Sequence, residues 1–174
     1  MPPSGRGILA VSRWSMSVPS PYQGHFDESP EGGWRHLFAV RVYFEDTDFS
    51  GVVYHARYLH FMERARSDML ARVGIDQRVV QEAGQGAYAV TEMHIKYRRP
   101  AKFDDALLVV STVEAVRAAS CDIHQTVMRG QEILTEARVT AAFVSPDGKP
   151  RRQPAHWVAA FEPVINRTAE KART

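Results

Sequence analysis

Residues 43 to 66, Tyr43-Phe-Glu-Asp-Thr-Asp-Phe-Ser-Gly-Val-Val-Tyr-His-Ala-Arg-Tyr-Leu-His-Phe-Met-Glu-Arg-Ala-Arg66, put carboxylates, a glycine and two histidines in one short span. Glu45, Asp46, Asp48 and Gly51 fall in an acidic loop, and His55 follows Asp48 by seven positions, where a helical pattern begins. A carboxylate beside the first turn of a helix lies near backbone N–H groups that have no intrahelical acceptor. Ionised at neutral pH unless strongly buried, it can attack a reactive acyl carbon or take a proton from water. The helix-start N–H groups can then receive the charge that develops on the acyl oxygen. A thioester suits such a site better than an amide, because its sulfur leaves readily.

Other chemistries compete for the same residues. Asp46-Thr-Asp48-Phe-Ser50-Gly51 opens like a calcium loop, but position twelve is Arg57 where a bidentate Glu is required. A D-x-D phosphotransferase normally rides on a parallel α/β sheet with further motifs downstream, and the strand-rich remainder does not supply one. An Asp shortly before a helix can also simply form a cap or turn. His55 and His60 are five apart and miss the i, i+4 face of a zinc helix. His94 and His124 fall in strand patterns and read as structural. The single cysteine, Cys121, excludes an internal disulfide and has no marked basic neighbour to activate it. Neither a metal nor another cofactor is expected. Lys96, Arg98, Arg99 and Lys102 put four basic residues within seven positions, either as a solvated strand edge or as a phosphate-binding cluster.

The elements that must position these groups follow from periodicity. Phe38, Val40, Val42 and Phe44 alternate with polar positions, which predicts a half-buried strand over His36–Phe44. Tyr58, Met62, Ala65, Met69 and Val73 fall at helical spacing, widened by Leu59, Phe61 and Leu70. A helix over His55–Val73 follows, with its charged residues mainly off the stripe and Gly74 closing it. A second helical stretch lies around Asp76–Ala83. Strand patterns then occupy Ala87–Tyr97, Ala106–Val116, Ser120–Arg129 and Ile133–Val144, joined by connections short enough for antiparallel pairing. Ala155–Phe161 adds a short helix. One strand, a long helix and a meander predict an α+β fold.

Residues 1–33 hold five of the ten prolines and five of the eleven glycines, so they read as a flexible leader. The folded domain is expected over 34–163 and a polar tail over 164–174. A length of 174 residues, 44% hydrophobic and 24% charged, fits one soluble domain. A net charge of +2 gives no argument for nucleic acid. No apolar run approaches the roughly 18 residues of a membrane span, and no secretory signal opens the chain, so a cytoplasmic location is expected.

The stretch Tyr43–Tyr58, the helix Tyr58–Arg66 and Tyr97-Arg-Arg-Pro-Ala-Lys-Phe-Asp-Asp105 resemble the 4-hydroxybenzoyl-CoA thioesterase family, in particular its Tol–Pal-associated acyl-CoA thioesterase branch. The similarity covers roughly residues 36–145. It implies a hotdog fold, a curved antiparallel five-stranded sheet wrapped around one long helix. It also implies homodimers joined edge to edge, paired into homotetramers, with active sites at the dimer interface. The implied reaction is thioester hydrolysis on acyl-CoA, or on an acyl group held by acyl carrier protein. The family's carboxylate falls on Asp48, as nucleophile or general base, and its helix-start donor falls near His55. Gly51, Tyr54 and Tyr58 are implied near the substrate, and Lys96, Arg98 and Arg99 remain candidates for the CoA phosphates. A non-catalytic acyl-carrier or envelope-complex binding protein, and a hotdog hydratase, are the alternatives on this fold.

Overall fold

The computed structural model describes residues 23–30 and 32–166. Six strands form one antiparallel sheet: β1 (His25–Glu28), β2 (Trp34–Arg41), β3 (Ala87–Tyr97), β4 (Ala106–Val116), β5 (Ser120–Arg129) and β6 (Glu132–Val144). Their order is β1-β2-β4-β5-β6-β3. Helix α1 (Arg57–Arg72) packs on β2, β4 and β5, while α2 (Gln77–Glu82) and α3 (Ala155–Phe161) are short. Register shifts at Val90/Glu92, Val113/Ala115 and Val127/Met128 interrupt three ladders. Irregularities of that kind bend a sheet and raise its twist. A curved sheet around one long helix is the expected hotdog arrangement, with six strands rather than five.

The additional strand lies in the expected leader. β1 pairs with β2 from His25↔Leu37 to Glu28↔Trp34. The carboxylate of Asp68 on α1 holds its approach, accepting the N–H of Gln23 and of Gly24 at 3.0 Å each. The rest of the leader, residues 1–22, and the tail from 167 lie outside the described residues. At the other boundary, residues placed in the tail are fastened to the sheet: Val164 is buried, and Asn166 N–H donates to Val113 O at 2.9 Å.

Helix α1 divides the core into two lobes. Tyr58, Phe61, Met62 and Ala65 meet Phe38, Val40, Val42 and Leu107, while Met69 and Leu70 meet Val113, Phe143 and Trp157. Arg66 and Asp68 depart from the expected polar face, for both are buried. Each has partners that make burial tolerable. Arg66 Nη1 donates to Gln125 Oε1 at 2.7 Å, and Asp68 Oδ1 accepts from His36 Nε2 at 2.8 Å. The helix ends at Gly74 (φ +82°), whose N–H bonds Ala71 O while that of Ile75 bonds Leu70 O. That is the paired closure a left-handed residue permits after a helix.

Candidate active site

The acidic loop is built by side chains that close on its own backbone. β2 ends at Arg41, short of the expected Phe44, and Phe44–Asp46 form a single 3₁₀ turn. Asp46 causes this: its Oδ2 accepts the Tyr43 N–H at 2.8 Å, and Arg57 Nε donates to its Oδ1 at 2.7 Å. A local carboxylate–backbone bond of this type replaces the strand ladder. Phe44, assigned to the buried face, is therefore 82% exposed. Arg57, which spoils the calcium pattern, already saturates the Asp46 carboxylate.

Asp48 lies beyond this clamp on the exposed part of the loop. Its Oδ1 accepts the Ser50 hydroxyl at 2.5 Å and the Ser50 N–H at 2.8 Å. These two bonds, hydroxyl first, and then the nearby His55 hold its carboxyl below the usual carboxylate range. Gly51 takes φ +78° with open space around it, so the position needs glycine for its left-handed backbone. The loop returns through Val53 N–H to Ala101 O at 2.8 Å, and Val52 bridges Lys102.

His55 and Ala56 form the turn into α1. Among the described residues, no acceptor meets either of their N–H groups. The expected helix-start donors are thus free, one of them seven positions from Asp48. The His55 ring lies 4.4 Å from that of Tyr54 and 6.2 Å from that of Tyr97, centre to centre. Val53, His55, Tyr58, Tyr97, Arg98, Arg99 and Pro100 line a cleft of about 300 Å³. Four of the sequence-predicted residues therefore converge, and Asp48, Gly51, Tyr54 and Lys96 lie outside that lining. Tyr58 contributes its ring, for its hydroxyl is occupied by the Ala101 N–H at 2.8 Å. A larger cleft of about 1060 Å³ between α1 and β2 contains none of the predicted residues; size alone does not outweigh the chemistry at Asp48.

The basic cluster is partly neutralised. Arg98 is paired with Glu136, which also faces His124 Nε2 at 3.1 Å, and Arg99 Nε lies 3.7 Å from Glu132. Among the described residues Lys96 and Lys102 make no ion pair, and Lys96 is exposed on β3. Tyr97 was not singled out in the sequence. Its part becomes visible only when β3 is laid beside the start of α1.

Comparison with known proteins agrees with this architecture. Residues 42–164 match the family model described as the thioesterase-like superfamily. The chain is 44% identical over 125 residues to the acyl-CoA thioesterase YbgC of Haemophilus influenzae, covering 71% of this chain and 92% of that one. The acyl-CoA thioester hydrolase YbgC of Escherichia coli O6:H1 is 39% identical over the same shares. Among solved structures, a probable thioesterase from Bartonella henselae superposes with TM-score 0.66 at 39% identity, covering 69% of this chain and 99% of that one. With most of its length matched and the hotdog sheet around α1 in place, the chain belongs to the thioesterase-like superfamily.

Proposed function

We propose that this chain hydrolyses acyl-CoA thioesters at the junction of the acidic loop and α1, using Asp48 and no metal or other cofactor. The observation that carries the reading is an ionised Asp48 on the loop that leads into two unoccupied helix-start N–H groups. In one route an Asp48 oxygen bonds to the acyl carbon and the C–S bond breaks. CoA leaves as its thiolate and is protonated to the thiol, and water then cleaves the acyl–aspartyl anhydride to free acid and carboxylate. In the other route Asp48 accepts a proton from the attacking water and returns it to the sulfur. Either way the carbonyl oxygen becomes an oxyanion, and the donors for it in this reading are the free His55 and Ala56 N–H groups. The YbgC relatives, named as acyl-CoA thioesterases, support this reaction.

Finer features rest on the resemblance. They are the 4-hydroxybenzoyl-CoA and Tol–Pal-associated branch, a homotetramer with sites between subunits, a cytoplasmic location, and acyl carrier protein as a second acyl donor. Short-chain or aromatic acyl groups suit the modest cleft, whose walls are Val53, His55, Tyr58 and Tyr97. Arg98 and Arg99, on the same cleft, fit the CoA phosphates. Free-thiol release from a panel of acyl-CoA thioesters tests the reading. Turnover with a preference among acyl groups is expected, and binding without thiol release would make the protein an acyl carrier rather than an enzyme.

A further inference from the structure

The geometry points to Tyr97 as the positioning residue that fixes the His55–Ala56 peptide at the start of α1, an assignment that rests on the thioesterase reading of this site. Tyr97 is the last residue of β3, and its hydroxyl donates to His55 O at 3.1 Å across 42 positions. In a regular helix the His55 carbonyl would take the N–H four residues on, from Leu59. Leu59 bonds Ala56 O at 3.1 Å instead, which leaves the His55 carbonyl to the phenol.

A trans peptide is planar, with its C=O and N–H on opposite sides. Holding a carbonyl therefore fixes the direction of the N–H that follows it. Two consecutive peptides are held in this way. The Tyr54 carbonyl accepts the Arg57 N–H at 2.8 Å, which sets the His55 N–H. The His55 carbonyl accepts the Tyr97 hydroxyl, which sets the Ala56 N–H. The first lock is local to the turn, whereas the second is supplied by a strand. Tyr97 is itself braced: its ring meets Tyr58 edge-on at 5.7 Å, and the Arg98 and Arg99 N–H groups both bond Leu134 O just beyond it. Donors fixed before the reaction need no reorganisation when charge appears on the acyl oxygen.

Tyr97→Phe removes the hydroxyl and keeps the ring. Its expected effect is a fall in kcat of about tenfold to a hundredfold, the scale of a misplaced donor, with KM within about twofold. The 15N order parameter of the Ala56 N–H, measured by NMR relaxation, should fall below that of the parent protein, with an unchanged melting temperature. Wild-type kcat in Tyr97→Phe, when Asp48→Asn is inactive in the same assay, would overturn the assignment and leave the thioesterase reading intact. Should the parent protein release no thiol, that reading fails, and the Ala56 order parameter alone decides. A lower Ala56 order parameter in Tyr97→Phe would then uphold the lock, and an unchanged one would reject it.

Discussion

Arg57 Nε donates to Asp46 Oδ1 at 2.7 Å, so the first residue of α1 covers the first aspartate of the acidic loop. Asp46 is only 2% exposed and also caps the Tyr43 N–H. The Asp48 carboxylate, two residues on, has only Ser50 as a hydrogen-bond partner among the described residues and faces solvent. One short motif thus separates a clamped carboxylate from an open one, the one we propose as the reactive group.

That separation predicts opposite phenotypes. Asp48→Asn should lower turnover by roughly a hundredfold or more with little change in stability, since it removes only the charge needed for attack or proton abstraction. Asp46→Asn leaves the part-buried Arg57 with only the exposed Glu45, at 3.2 Å, as its counter-charge and should cost about 1 to 3 kcal/mol of unfolding free energy. Urea denaturation beside a thiol-release assay measures both. Near-full hydrolysis by Asp48→Asn would remove Asp48 from the mechanism.

The pH dependence follows from the same residue. Protonated Asp48 can neither attack nor accept a proton, and its hydrogen bonds lower its pKa from the ordinary 3.8. The acid limb of kcat/KM should therefore lie below that value, with the rate flat as pH falls from about 7 to 5. Ser50→Ala deletes the larger cause of the shift and should move the limb upward, toward the ordinary value. A limb that does not move would mean another group titrates.

The parts legible in sequence are those set by local periodicity. β3, β4, β5 and α3 have the expected bounds, because uninterrupted patterns end at turn residues. β1 was hidden because four residues carry no usable period, and Asp68, more than forty positions away, holds the segment before it. The predicted β2 overruns its C-terminal end because alternation persists through Phe44 after Asp46 has ended the ladder. At the candidate site, Asp48 and His55 stand out in the sequence because loop and helix start are contiguous. Tyr97 is not, since only the fold brings it to the His55 carbonyl.

The Asp68 pin carries a stability prediction. His36 is fully buried, and burial lowers its pKa from 6.5, more than Asp68 raises it. Below the unfolded value the unfolded chain binds a proton that the native chain does not, so this contribution is complete above about pH 6.5 and declines as pH falls toward the lowered folded value. Thermal melts from pH 7.5 to 5 should show that decline, and a His36→Phe variant should flatten it. Asp68→Asn turns one acceptor atom into a donor facing N–H groups and should cost about 2 to 3 kcal/mol. Wild-type stability in Asp68→Asn would show that β1 is held by its pairing with β2 alone.

Arg98 and Arg99 allow a test of phosphate binding. Charge removal at either should raise KM on an acyl-CoA more than it lowers kcat, because remote contacts bind substrate and transition state alike. The loss should vanish on an acyl-pantetheine that lacks the nucleotide, and shrink with salt, as exposed charges are screened over about 8–10 Å. Equal loss on both substrates would assign the pair to the fold, through Glu136 and Glu132.

The remaining prediction concerns the open side of β3. This strand pairs with β6 along one edge, and among the described residues no strand pairs with its other edge over eleven residues. Val90 stands 47% exposed beside that edge. A long free edge is a template for pairing with another chain, and a second copy of the same strand would satisfy it isologously. Light scattering at micromolar concentration should therefore give a multiple of the 19.6 kDa chain mass. Val90→Lys places a charge beside the proposed junction and should shift the population toward 19.6 kDa, with turnover falling in step. Activity lost in proportion to the dimer fraction is what a site shared between subunits requires. A parent protein that is monomeric and fully active would confine the chemistry to the single chain, with Asp48, the His55 N–H and the Tyr97 lock all supplied in cis.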